Sequence, residues 1–190
     1  MELEVFHGTD RSCAKDIVSQ RVFIVKENTQ HWLGNGIYFY IDCGLADWWT
    51  TRPTKKFGSE IKRPAIVKCR IEVDKAVVLD LRTKSDYNKC ADLCHSFYHD
   101  YYKKYAKKPL RQINLNKFRC TFFDWLFAVH NVKVIIGTFS GSVQEYLTPT
   151  HTEFENLKLK YTEVQVCVAA DCQDVIKSFE LVDRRRIRHG

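Results

Sequence analysis

Short stretches in which apolar and polar residues alternate run through most of the chain, and they read as strands. Leu3-Glu4-Val5-Phe6-His7-Gly8 puts Leu3, Val5 and His7 on one face of a first strand. Asp10 or Ser12 then caps a helix carrying Ala14, Ile17 and Val18. Gly36 to Ile41 is a second strand, dense in β-branched and aromatic residues. It sets Tyr38 and Tyr40 on one face and Ile37, Phe39 and Ile41 on the other, and leads into a short helix from Gly44 to Thr50. From Ala65 to Val73 the alternation is regular: Val67, Cys69, Ile71 and Val73 oppose Lys68, Arg70 and Glu72, which predicts a strand with one wet face.

Val77 to Leu81 continues the sheet. Between Ser85 and Lys107 the period changes, and Leu93, Phe97, Tyr101 and Tyr105 recur every four residues, predicting a helix with an aromatic stripe that packs into the core. Leu115 to Val129 is a further helix and Val132 to Phe139 a buried strand. Thr162 to Val168 is another strand, and Ser178 to Val182 closes the sheet. Strands come in runs with helices interspersed, without strict βαβ alternation, so the fold class is α+β. With no repeat, low-complexity stretch or Pro/Gly/Ser-rich linker, residues 1–190 read as a single domain.

Composition narrows the class. Hydrophobic residues make up 45% of the 190, enough for a proper core, which excludes a disordered or fibrous chain. No apolar run approaches the ~20 residues that span a bilayer, and Met1-Glu2-Leu3-Glu4 is acidic where a signal peptide is basic, so the expected location is cytoplasmic. The eight cysteines are scattered among core-forming segments and read as buried thiols in a reducing compartment. Cys90, Cys94, His95 and His99 share helical spacing but lack a second arm close in sequence, so no metal site is assigned. The 30 Lys and Arg against 23 Asp and Glu leave +7. Basic runs at Arg184-Arg185-Arg186-Ile187-Arg188 and at Lys103, Lys104, Lys107 and Lys108 suit an anionic partner, though such runs are usually solvated faces.

Three short pieces carry candidate chemistry. His7-Gly8-Thr9 ends the first strand with an imidazole, a bare backbone that a flat polar ligand can approach, and a hydroxyl. Gly34-Asn35-Gly36-Ile37-Tyr38-Phe39 permits a tight turn before an aromatic strand and is followed by Ala46-Asp47-Trp48-Trp49. In Glu163-Val164-Gln165-Val166-Cys167-Val168 the valines share the core face, and Glu163 and Gln165 share the other with Cys167, either solvated or lining a cleft. Singly, each has an ordinary structural reading, and the Gly-x-Gly lacks the helix and third glycine of a dinucleotide fingerprint.

Together the pieces resemble the ADP-ribosyltransferase superfamily, in the diphtheria-toxin and poly(ADP-ribose)-polymerase branch marked by a His, a Tyr and a Glu on three separate strands, in that order. The likeness covers the first fifty residues and the region from 160 to 182. It implies a split β-sandwich with flanking helices and an NAD-splitting site, with NAD as co-substrate and no metal. The catalytic set it implies is His7, Tyr38 and Glu163. Gly8 then bonds the nicotinamide amide through its backbone, His7 the adenosine-side ribose, and Thr9 adds a hydroxyl. Gly36 shapes the turn, and Tyr38 and Trp49 sandwich the nicotinamide ring through their faces, so that Tyr38→Phe is expected to be mild. Ala46 stands where the polymerases carry a hydroxyl residue, and Trp48 is expected in the core. Either Glu163 or Gln165 occupies the position of the family's acid, and members without the acid transfer a single ADP-ribose or are inactive.

The resemblance implies a mono-ADP-ribosyltransferase that acts as a toxin or phage-defence effector, with RNA or DNA as acceptor and an antitoxin as neutralising partner. The alternatives are a protein-modifying transferase and a non-catalytic module of the same fold that binds NAD, ADP-ribose or nucleic acid. A related RNA 2′-phosphotransferase is disfavoured by the Tyr38 and Glu163 pieces.

Overall fold

The computed structural model describes residues 1–51, 61–102, 114–139 and 162–183. The basic runs at 103–108 and 184–188, and Tyr105 of the aromatic stripe, lie outside them. The described strands are β1 (Glu2–Asp10), β2 (Gly36–Tyr40), β3 (Pro64–Glu72), β4 (Val78–Asp80), β5 (Val134–Phe139), β6 (Glu163–Ala169) and β7 (Ile176–Leu181). They form one sheet in the order β4-β5-β6-β2-β1-β3-β7, antiparallel except for the parallel β4–β5 pair. The helices are α1 (Arg11–Gln20), α2 (Cys43–Thr51), α3 (Lys84–Ser96) and α4 (Leu115–Val129). The class is α+β, as the sequence predicts.

Local chemistry accounts for the element ends. The Asp10 carboxylate accepts the Ser12 N–H at 3.0 Å and caps α1, and the chain leaves that helix through Arg21 in the left-handed region. Thr83 caps α3 and Asn114 caps α4. Residues 103–107 of the predicted helix from 85 to 107 lie outside the described residues, and the described part is not regular α-helix throughout. It runs as α-helix to Ser96 and then widens into a π turn over Phe97–Tyr102, which sends Phe97 into the core and leaves Tyr101 exposed.

Both faces of the sheet are covered. On one face α1 and Phe23 pack over Val5, Phe39, Val67, Ile71, Val166 and Val168. The other face carries two separate clusters. Helices α3 and α4 cover Leu33, Ile135 and Cys167, and α2 covers Tyr40 and Ile66. The boundary between these two clusters runs along β2.

That boundary coincides with the weakest joint in the sheet. β1 pairs with β3 over nine residues and β2 with β6 over five, but β1 and β2 share one recorded pair, Phe6↔Tyr40. Two well-bonded half-sheets therefore meet at a seam.

Candidate functional site

At the seam the β1–β2 ladder stops after one pair. Arg11 N–H donates to Arg63 O at 2.7 Å and Val73 N–H to Met1 O at 3.0 Å, so the odd-numbered residues of β1 turn their peptide groups toward β3. The even-numbered ones, Gly8 among them, turn theirs toward β2. Continuing the register past Phe6↔Tyr40 would pair Gly8 with Tyr38, but the ladder stops short of that pair. The N–H and C=O of Gly8 thus point into the seam.

His7 holds the seam in this form. Its side chain lies on the Phe39 face, edge-on to Phe23 and Phe39 with ring centroids 5.1 and 5.9 Å away. Nδ1 reaches into the seam and donates to the Tyr38 carbonyl at 2.8 Å. A carbonyl only accepts, so Nδ1 carries the proton and Nε2 is the acceptor of the neutral ring. Burial pushes the imidazole below its ordinary value of 6.5, only partly offset by the bond to Tyr38, which keeps the ring neutral. Thr9, next along β1 and paired with Ala65, is half-buried.

Helix α2 lies directly on Gly8. A methyl group there would run into the Ala46 carbonyl and come 2.7 Å from Thr50 Cγ2, so only glycine allows this approach. Ala46 itself is fully buried at the crossing. Trp48 and Trp49 both stay partly exposed, which corrects the expectation that Trp48 is a core residue. The Trp49 ring lies beside Tyr40, with centroids 6.5 Å apart. Gly36 is buried against Cys167 and Val168 of β6.

Tyr38 is held by more than its ring. Its hydroxyl accepts the Leu33 N–H at 2.7 Å and donates to Gly34 O at 2.8 Å, closing the turn that precedes β2. Burial pushes the phenol well above its ordinary value, so it stays protonated. Gly34 takes φ +84°, a left-handed backbone that glycine adopts without strain. Asp124 of α4 clamps the same turn, accepting Asn35 N–H at 2.5 Å through Oδ1 and Asn35 Nδ2 at 2.9 Å through Oδ2. The Asn35 side-chain oxygen in turn accepts the Asn28 N–H at 2.8 Å. Sequence reasoning missed this clamp. A lone carboxylate inside the apolar run Phe122-Phe123-Asp124-Trp125-Leu126 was the available signal.

Glu163 and Gln165 are buried, not solvated, and the Gln165 amide donates to the Glu163 carboxylate. Directly paired residues of an antiparallel sheet share a face. Tyr38 pairs with Cys167 and Tyr40 with Gln165, while Gln165 and Glu163 sit across from Gly137 and Phe139 of β5. The structure therefore brings Gly8, Tyr38, Tyr40, Gln165 and Glu163 to one face, with His7 entering the seam from the other. Along β6, Gln165 lies one step nearer Tyr38 than Glu163 does.

Of the thiols expected to be buried, Cys69, Cys120 and Cys167 are, whereas Cys13 is exposed and Cys43, Cys90, Cys94 and Cys172 are half-buried. The described structure contains no disulfide, and burial pushes Cys43, Cys90 and Cys120 up to about 11 and Cys69 up to about 12. Cys90 and Cys94 are half-buried against the core, and the His95 and His99 rings lie 4.4 Å apart on the following turns. Among the described residues no helix is long and apolar enough to cross a membrane.

Over 95 residues, half of this chain, the sequence is 30% identical to an uncharacterized protein of Methanocaldococcus jannaschii. The match spans 44% of that relative's length. No family model matches the chain, and no solved structure matches it.

Proposed function

We propose that this chain is an NAD-dependent mono-ADP-ribosyltransferase that cleaves NAD to nicotinamide and transfers ADP-ribose to an intracellular nucleic acid, as a toxin or defence effector neutralised by an antitoxin. The observation that carries the reading is the β1–β2 seam, which opens the peptide of Gly8 beside Tyr38 on the face that also holds Glu163 and Gln165. A carboxamide needs a donor and an acceptor side by side, and the N–H and C=O of one extended residue supply both. The resemblance implies a split β-sandwich, and the place where such a split would fall in this seven-stranded sheet is the one-pair seam.

Each residue then has a role. The Gly8 backbone orients nicotinamide, and Tyr38 and Trp49 offer ring faces to it. The neutral His7 presents Nε2 as an acceptor for a ribose hydroxyl. When the bond between the ribose anomeric carbon and the nicotinamide nitrogen breaks, its electron pair leaves with nicotinamide and the sugar gains positive charge. A carboxylate in a dry site stabilises that charge strongly. Glu163 is the buried acid on this face, and it can also accept the proton of the incoming nucleophile. Gln165 fixes one Glu163 oxygen through its amide.

The test is incubation with NAD labelled in the adenylate half, together with separated RNA, DNA and protein fractions. The expected result is nicotinamide release with label on nucleic acid. Label on protein alone would favour a protein-modifying transferase. NAD binding without release would leave a non-catalytic binding module and defeat the proposal.

A further inference from the structure

Beyond Glu163, on the side of β6 away from His7, an aromatic and cationic cluster stands outside the roles assigned above. Phe139 of β5 pairs directly with Glu163 and shares its face. The Trp32 ring rests against Phe139, with centroids 4.7 Å apart, and the Arg119 guanidinium lies over Trp32 at 5.5 Å from its centroid. Trp32 and Arg119 are both partly exposed. Arg119 donates through Nη2 to the neutral Asn116 side chain at 3.2 Å, while its Nε is buried with no hydrogen-bond partner. Among the described residues no carboxylate lies within ion-pair distance of Arg119.

We propose that Trp32 and Arg119 form a shelf for an aromatic base and its phosphate, and that its occupant is a nucleotide of a single-stranded nucleic-acid acceptor. An indole face stacks any base, and a guanidinium without a carboxylate partner is suited to a phosphate oxygen. The adenosine end of NAD has the same chemistry, but position favours the acceptor. Across the sheet the order is β5, β6, β2, β1, so the shelf and His7 flank Glu163 from opposite sides, with their strands roughly 14 Å apart at ~4.8 Å per strand. A donor whose ribose reaches His7 leaves the shelf to the molecule that attacks from the other side. The assignment of this occupant rests on the transferase reading.

The experiment measures binding of a short fluorescent single-stranded oligonucleotide, RNA and DNA in turn, to the full chain and to Trp32→Ala, Trp32→Phe and Arg119→Gln, each checked for its thermal midpoint. Trp32→Ala should weaken binding about tenfold, with most of it kept in Trp32→Phe. Arg119→Gln should weaken binding and reduce the slope of log affinity against log salt by about 1. NAD affinity, measured in parallel, should change much less. Unchanged oligonucleotide binding in Trp32→Ala and Arg119→Gln, or no binding by the parent chain, overturns the shelf. A loss of NAD affinity in step with oligonucleotide affinity overturns it too, because the shelf would then hold the donor. Nicotinamide release by the parent chain is scored separately: shelf-dependent binding without release supports the shelf as a nucleic-acid site and defeats the transferase reading.

Discussion

The imidazole of His7 donates to the backbone carbonyl of Tyr38 at 2.8 Å, in the place where a strand N–H would otherwise have bonded. One side chain thereby satisfies the β2 backbone without closing the ladder. The Gly8 peptide on β1 stays directed into the seam, and Nε2 of the same ring becomes an acceptor. The half-sheets are joined at Phe6↔Tyr40 and parted one step further on.

Stability should carry the titration of His7. Its folded value is depressed below 6.5, so above 6.5 the ring is neutral in both states and its contribution is complete. As pH falls below 6.5 the unfolded chain takes up the proton first, and stability is lost until the folded value is passed. His7→Asn, whose amide keeps a donor, should flatten this acid-side decline in thermal midpoint. An equal decline in both proteins would place the titrating group elsewhere.

Gly8→Ala should be among the most damaging single-methyl additions in the chain. The new methyl meets the Ala46 carbonyl and Thr50 Cγ2, which are parts of a packed helix. Overpacking of this kind costs about 1–3 kcal/mol or more. Gly44→Ala is the control, because its methyl meets only the Asp42 side chain at 3.0 Å. Denaturant unfolding should separate the two clearly, and comparable midpoints would mean that α2 can lift from β1 at little cost.

Tyr38→Phe, expected from sequence to be mild for NAD binding, should nevertheless lower stability. It keeps the ring face but strips the partner from the Leu33 N–H and from Gly34 O. Leaving a buried peptide group unpaired costs about 1–3 kcal/mol. Thermal unfolding should report that loss, and amide exchange at Leu33 should quicken. Wild-type protection at Leu33 would refute the clamp.

Most elements were legible because each buries one side. The period along Leu115–Val129 gave α4 to the residue, and the alternation from Ala65 to Val73 gave β3 within one residue at each end. Alternation says that two faces differ, not that the polar one meets water. Glu163 and Gln165 were therefore placed on the correct face, but their burial was not foreseeable. The segment from 21 to 35 has no period, so the seat of Phe23 against His7 and the Asn35–Asp124 clamp depend on contacts that only the tertiary fold makes. The parallel pairing of β4 with β5 was hidden for the same reason.

Glu163→Ala should lower nicotinamide release about a hundredfold or more, the usual cost of losing a preorganised electrostatic group. NAD affinity should change much less. Gln165→Ala should act partly through Glu163, since the two side chains are bonded, so the double variant should fall well short of the summed single effects. Strict additivity would show two independent roles. A fully active Glu163→Ala beside a dead Gln165→Ala would move the acid's position to Gln165, the residue one step nearer Tyr38.

The two tryptophans of α2 test the pocket and not the chemistry. Residues adjacent on a helix point about 100° apart, so Trp48 and Trp49 meet the sheet from different directions. Both rings pack half-buried against the cluster of Tyr40, Leu45 and Ile66, and the Trp49 ring lies beside Tyr40, which pairs with Phe6 and Gln165. Nicotinamide stacked on Trp49 gains roughly 0.5–1.5 kcal/mol. Its positive charge, present while it remains attached to ribose, adds about 1 kcal/mol or more once desolvated. Trp49→Ala should therefore weaken NAD binding about tenfold, with a modest change in thermal midpoint. Trp48→Ala should lower the midpoint with no selective loss of NAD affinity. Measured side by side, the reverse pattern would put Trp48 in the pocket and rotate α2 relative to the seam.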